Sequence, residues 1–403
     1  MSPPTELRRV LSLPVITFYG MGTIIGAGIY VLVGEIAGAA GMRAPLAFAL
    51  AGVIAAFTAL SYAELSSRYP VSAGEAVYLQ QGFGRRWLSL GVGLLLAVAG
   101  MVSSATLANG FVGYLHVFVP APDWVAVIGL VLVLGTLACW GIRESAIVAT
   151  VTTLVEIGGL VLILSVAAPN FAHLPQRLPE MLPTADAAAW SGVLLGAFLA
   201  FYAFLGFEDM VNVAEEVHDP ARNMPRAILI AAAVATVLYI LVATAAVLTQ
   251  PPERLALSEA PLASIYVEAT GRSPWVISVV GLFAVVNGAL IQIIMGARIL
   301  YGMAREGWLP RALAYVHPRT QTPLATTAVM TAAVLALALW FPLVTLAKVT
   351  SFILLSVFAL VNLALVRIKL RGPAPAGVRT FPVWVPCVAF VLCLAILAFQ
   401  MLA

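Results

Sequence analysis

Glycines at positions 22, 26 and 28 interrupt an apolar run that extends from Leu11 to Val33. The central stretch, Gly22-Thr23-Ile24-Ile25-Gly26-Ala27-Gly28-Ile29-Tyr30, gives up helix propensity, about 1 kcal/mol per Gly relative to Ala. A helix in hydrocarbon must satisfy its own backbone, so a break is tolerated only where it lines a cavity or is covered by protein. The chemistry on offer is main-chain hydrogen bonding. Acceptors end the first half-helix, and donors at the positive end of a dipole open the second. The competing reading is close helix packing through Gly-x-x-x-Gly at 22 and 26.

A second anomaly lies about 180 residues on, at Phe201-Tyr202-Ala203-Phe204-Leu205-Gly206-Phe207-Glu208-Asp209. Here a glycine and two carboxylates interrupt another apolar run. A third polar position is Glu156, in Thr152-Thr153-Leu154-Val155-Glu156-Ile157-Gly158-Gly159. Steps of three and four put Ala149, Thr152, Glu156 and Gly159 on one small, polar helix face, which points inward. A charge at bilayer centre costs about 2.5–3.5 kcal/mol, so such a carboxyl pairs or takes a proton. Glu156 and Glu208 are the candidates for proton coupling or gating. For Glu208, and more so for Asp209, the alternative is a favourable charge at a helix start, worth about 0.3–1 kcal/mol.

The elements that must position these groups follow from composition. Of 403 residues, 62% are apolar and 10% charged, against about 25% charged in soluble domains. The chain is expected to be an all-α polytopic membrane protein. Apolar segments of spanning length cover approximately 11–37, 44–66, 87–115, 124–141, 145–168, 189–213, 226–249, 275–303, 323–341, 344–366 and 383–402. These make about eleven transmembrane helices, with the third and eighth long enough to tilt or overhang. The first run exceeds a signal-peptide core of about 7–15 residues, so it reads as a span. With the N-terminus inside, only Arg43, Arg177, Arg254, Arg272 and Lys348 of the 21 basic residues face outward. The positive-inside rule therefore predicts a cytoplasmic N-terminus and an extracytoplasmic C-terminus. Broken helices 1 and 6 open five-helix units of opposite orientation, the pattern of a 5+5 inverted-repeat transporter fold. The repeats would be residues 1–168 and 189–366, with 383–402 an additional span.

Net charge is +3 without a long basic cluster, so no nucleic-acid partner is expected. The partners implied are membrane lipid and a small molecule. Cys139, Cys387 and Cys393 read as small apolar residues, and His116, His173, His218 and His317 lack metal-ligand spacing, so no metal or cofactor is expected. An intramembrane enzyme would need a nucleophile–base pair or a metal cluster, and the sequence offers neither. Asn223 before Pro225 reads as a helix N-cap with proline in the first turn.

The sequence resembles the amino acid–polyamine–organocation transporters, near their bacterial amino acid permeases and the cationic-amino-acid-transporter-like branch. The match is carried by Ile24–Tyr30 and by Tyr62-Ala63-Glu64-Leu65 with Pro70, Gly74, Tyr78, Phe83 and Gly84. Phe201 through Ala214-Glu215-Glu216 to Asp219-Pro220-Ala221-Arg222-Asn223-Met224-Pro225-Arg226 adds to it, as do Asn287-Gly288, Arg298–Pro310 and Thr322-Pro323.

The resemblance implies alternating access around the two breaks. Carbonyls near Ile24 and Ile25, with those of Tyr202, Ala203 and Leu205, would accept a substrate ammonium. The N–H groups of Gly26, Ala27, Gly28 and Ile29 would hold its carboxylate, and Tyr202 and Phe204 would be aromatic gates. Several proton-coupled members of the branch resembled carry Lys where this chain has Glu156. A Lys can replace a sodium ion and a Glu cannot, so the expectation is a protonated Glu156 that bonds the span 1 backbone and shuttles a proton. No Ser or Thr lies between Ser278 and Tyr301, and a hard cation needs oxygen ligands, so sodium coupling is not expected. The function implied is a secondary active amino acid transporter of the cytoplasmic membrane, by proton symport. Exchange of amino acids or polyamines, and a non-transporting sensor on the same scaffold, are the alternatives. Relatives have twelve spans against eleven here, and the sequence fixes no oligomeric state.

Overall fold

The computed structural model describes residues 9, 11–71, 74–140, 146–182, 187–305, 307–318, 320 and 322–402. Arg8, Arg143, Glu306 and Arg319, used in the sequence reading, lie outside the described residues. Among the described residues the chain is helical, with one isolated β-bridge between Leu11 and Val217.

Sixteen α-helices follow one another. The first span is split into α1 (Leu13–Ile25) and α2 (Ala27–Ala40), followed by α3 (Ala44–Arg68), a short α4 (Gly74–Phe83) and α5 (Arg86–His116). Next come α6 (Asp123–Trp140), α7 (Ala146–Ala167), α8 (Leu174–Met181) and α9 (Ala187–Ala203). Then α10 (Pro220–Thr249), α11 (Pro252–Ala256), α12 (Pro261–Thr270) and α13 (Trp275–Arg305) follow. Last are α14 (Leu324–Trp340), α15 (Leu343–Arg371) and α16 (Trp384–Leu402). Among the described residues, seven apolar helical stretches are long enough to cross a membrane, and the first, Leu13–Arg68, contains both α1–α2 and α3. Asp123–Cys139, Ala188–Ala203 and Leu324–Trp340 are shorter apolar helices. The protein is an all-α, multi-pass membrane protein.

The long third and eighth segments are α5 and α13, 31 residues each. At 1.5 Å per residue each spans about 46 Å, more than a hydrocarbon core of about 30 Å. They pack on each other and on α6 and α14. A second group gathers α1, α2, α3, α9 and α10, while α7 and α15 touch both groups. Short helices also lie between the spans: α4, α8, α11 and α12. Among them, α4 packs on α5 and α15, and α11 packs on α2. We refer below to the α4 face and the α11 face of the molecule.

The start of α10 corrects the expected cap. The helix begins at Pro220, with Asp219 before it at φ +46, so Asn223 and Pro225 lie inside it. Pro225 has no N–H for the carbonyl four residues back. That carbonyl, on Ala221, instead accepts the Ser67 hydroxyl of α3 at 2.7 Å. A tertiary hydrogen bond offsets the break and moves the helix start.

At the same end of α3 the side chain of Glu64 is fully buried. It accepts Arg68 Nη2 at 2.7 Å, Lys369 Nζ at 2.6 and 2.7 Å, and the Phe381 N–H at 2.8 Å. Lys369 also donates to the Phe381 carbonyl at 2.6 Å. One carboxylate thus joins α3, α15 and the segment leading into α16. Two cations and an amide satisfy its lone pairs, which is what a buried charge requires.

Candidate functional site

The first break is a single residue. Gly26 leaves the helical conformation at φ −53, ψ −145 between α1 and α2. The second is wider. After Ala203 the chain turns through Phe204–Glu208 into a 3-10 helix, Asp209–Glu216. The expected second α half-helix is therefore replaced by a tighter coil. Glu208 Oε2 turns back to accept the Gly206 N–H at 2.8 Å, satisfying a donor that the broken helix frees.

The two breaks lie against each other. A Cβ on Gly28 would collide with the Cα of Ala203, and one on Gly206 with the Thr23 carbonyl and the Ile24 nitrogen. Gly206 sits at φ +130, where only glycine is comfortable. The Thr23 hydroxyl lies 3.0 Å from the Gly206 carbonyl. Tyr239 of α10 completes the junction: its hydroxyl is 2.6 Å from the Ile24 carbonyl and 2.9 Å from the Ala203 carbonyl. One phenol thus serves both broken helices. Its ring is fixed edge-on by Phe204, with centroids 5.0 Å apart.

A small cavity of about 50 Å³ opens beside this junction. Its walls include Thr23, Gly28, Ser103, Tyr202, Asp209 and Gln292. The Tyr202 hydroxyl is held by Ser103 Oγ at 2.9 Å. A second cavity of about 40 Å³ shares Ser103, Leu205, Asp209 and Gln292 with the first and is closed by Glu75 and Glu208. On the α11 face lies a wider vestibule of about 570 Å³, lined by Glu35, Asn109, Asp123, Glu259, Trp124 and Trp340. It shares no lining residue with the two small cavities.

Of the residues expected at the site, Ile24, Gly26, Ala27, Gly28, Tyr202, Ala203 and Leu205 line the first cavity. Ile25, Ile29 and Phe204 are buried but do not line it. Phe204 packs instead on Tyr239 and close to Gly52. The packing reading of the glycines also holds in part, because a Cβ on Gly22 would strike the Thr153 hydroxyl.

Glu156 is fully buried on α7. Its Oε1 accepts Asn287 Nδ2 of α13 at 3.3 Å, and its main-chain carbonyl accepts the Tyr30 hydroxyl at 2.5 Å. Tyr114 donates in turn to the Tyr30 carbonyl at 2.7 Å. On α7, Thr153 bonds the span 1 backbone, donating to the Phe18 carbonyl at 3.0 Å.

Sequence reasoning missed Ser103, Tyr239, Asn287 and Gln292 as parts of this region, and treated Asp209 chiefly as a helix-start charge. Asn287 and Gln292 carry a readable signal, being amides within a long apolar helix. Tyr239, inside an unbroken apolar run, carries none.

The amino acid permease family model matches residues 11–403. The chain belongs to that family. An uncharacterised transporter of Mycobacterium tuberculosis is 36% identical over 339 residues, 83% of this chain and 74% of that protein. The branched-chain amino acid permease of Bacillus subtilis is 29% identical, over 91% of this permease and 82% of its own length. A vacuolar cationic amino acid transporter of Arabidopsis thaliana is 30% identical, over 93% of this permease and 65% of its own length.

Proposed function

We propose that the permease is a secondary active transporter of amino acids, driven by proton symport and working by alternating access around the two breaks. The observation that carries this reading is the junction itself, where backbone from two interrupted helices lines one cavity. An α-amino acid offers an ammonium and a carboxylate to any such main-chain pair. Carbonyls at Ala203 and Leu205 suit the first, and the N–H groups opening α2 suit the second. Backbone reads only the atoms common to amino acids. Selectivity then falls to side chains on α5 and α13, such as Ser103 and Gln292.

In this reading residues 1–168 and 189–366 are the inverted repeats and 383–402 an additional span. The α4 face is cytoplasmic, a reading supported by the excess of basic residues on that side, and the vestibule on the α11 face is the outer approach. The protein then sits in the cytoplasmic membrane with its C-terminus outside. A proton gradient is an adequate drive, at about 1.4 kcal/mol per pH unit and about 2.3 kcal/mol per charge per 100 mV.

Uptake into proteoliposomes, screened across the twenty amino acids and common polyamines at two pH values, tests the reading. It should show saturable uptake of an amino acid that is stimulated by an inward proton gradient. Absence of uptake for every amino acid tested overturns it, and uptake only against a preloaded substrate moves it to exchange. Glu156→Gln should retain uptake but with a changed dependence on pH. An unchanged pH dependence removes Glu156 from the proton path and leaves it a neutral buried acid held by Asn287.

A further inference from the structure

The second small cavity concentrates more acid than its surroundings neutralise. Glu75, Glu208 and Asp209 all line its roughly 40 Å³, room for a few waters at most. Glu75 and Glu208 are 3% and 5% exposed. Among the described residues, none of the three forms an ion pair. Glu208 spends one oxygen on the Gly206 N–H. Two tyrosine hydroxyls border the cluster, those of Tyr62 and Tyr78. Both residues are fully buried; the Tyr62 hydroxyl faces Glu75, and among the described residues the Tyr78 hydroxyl has no hydrogen-bond partner. Their rings are 6.2 Å apart at 82°, and the Tyr62 ring lies 5.4 Å from that of Phe207, the residue before Glu208.

Carboxylates crowded into one buried site cannot all ionise; at least one keeps its proton. From this geometry we propose that Glu75, Glu208 and Asp209 form a proton-binding site behind the substrate cavity, with Glu75 of α4 as the group that gains and loses the proton. The proposal rests on the transport reading above and adds a second proton-binding position to the one at Glu156.

Two features single out Glu75. It sits on α4, outside the spans, where burial pushes its carboxyl up to about 8 and the Asp209 charge adds to the effect. It therefore changes charge within a physiological pH range. Its helix also docks by backbone contact. A Cβ on Gly74 would meet Val211 of the 3-10 helix, and one on Gly82 would meet Ala364 of α15.

A neutral Glu75 lets α4 rest against the acidic turn, and an ionised one repels it. Proton occupancy is thereby tied to how tightly α4 closes the α4 face of the cavity. Asp209, which lines both cavities, is the link to bound substrate.

Other groups facing the cluster do not neutralise it. Ser103 on α5, Gln292 on α13 and Leu354 on α15 line the cavity without charge. Arg367 and Arg371 of α15 bond the far end of α4 at the Gly82 and Gln81 carbonyls, and Lys369 is taken up by Glu64.

The test is infrared difference spectroscopy of the purified, full-length permease across a pH titration, paired with proteoliposome uptake. Wild type should show a protonated-carboxyl stretch lost near pH 8. In Glu75→Gln that signal should disappear. The fall of uptake at alkaline pH should flatten, since an amide stays neutral. Glu75→Asp should restore a titrating signal. Tyr62→Phe, a milder change that keeps the ring packing, should move the Glu75 titration to the alkaline side by removing a donor available to the ionised form. An unaltered infrared titration and pH profile in both Glu75→Gln and Tyr62→Phe overturns the proposal. If the carboxyl signal behaves as expected while wild type carries no amino acid, the proton site stands and the transport reading fails.

Discussion

Glu64→Gln should cost the permease about 3–5 kcal/mol of stability, the largest effect expected of any single conservative change in this molecule. The substituted amide has nearly the same shape, so the loss is electrostatic. Arg68 and Lys369 have side chains only 5% and 7% exposed and would keep their charges without the carboxylate between them. Thermal unfolding in detergent, with wild type and Lys369→Met alongside, measures the effect. The Glu64→Gln/Lys369→Met double variant should be less destabilised than the sum of its parts, because the orphaned ammonium is removed too. A Glu64→Gln protein within about 0.5 kcal/mol of wild type would show that the cluster contributes little. The consequence extends past stability. Lys369 and the Phe381 amide tie the segment before α16 to α3. The variant should therefore become more susceptible to proteolysis around 372–383.

Gly206→Ala should abolish uptake and destabilise the fold by about 1–3 kcal/mol from backbone strain alone. The added methyl would enter the main chain of α1 at Thr23 and Ile24, which has no side-chain end to swing aside. The φ of +130 also disfavours any side chain. The two breaks must then separate, taking the Thr23 hydroxyl and the Tyr239 bridge out of register. The control is Gly302→Ala in α13, where a Cβ meets nothing within 4 Å. That change should be neutral or stabilising by about 0.5–1 kcal/mol. Substrate binding, read by thermal shift at saturating amino acid, separates a lost site from a lost fold. Normal binding by Gly206→Ala would mean that the turn tolerates displacement and that the breaks need not touch.

Much of the architecture is legible in the chain. The spans follow from apolar runs, and the excess length of α5 and α13 is visible in the long apolar runs 87–115 and 275–303. Gly26 and Gly206 announce the breaks because glycine inside a span sacrifices helix stability without return unless the backbone is needed elsewhere. The helices within the loops were not legible. α4 is short and its docking depends on Gly74 and Gly82 meeting partners far along the chain. Local sequence holds no trace of Val211 or Ala364. The start of α10 was misjudged for the same reason, since the Ala221 carbonyl is satisfied by Ser67, 154 residues away.

The sequence by itself determined an all-α membrane protein, the two interrupted spans, the intramembrane acids and the family. Each of these is written in composition, periodicity or a local motif. Only the tertiary structure decided that the two breaks touch and that one phenol, Tyr239, serves both. It also decided that Glu156 meets Asn287 and that Asp209 lines both small cavities with Glu75 and Glu208 behind. The physical reason is that apolar residues on a spanning helix face lipid and protein with equal ease. Which neighbour a tyrosine or a carboxyl finds is set by helix packing, and packing is a property of the whole bundle.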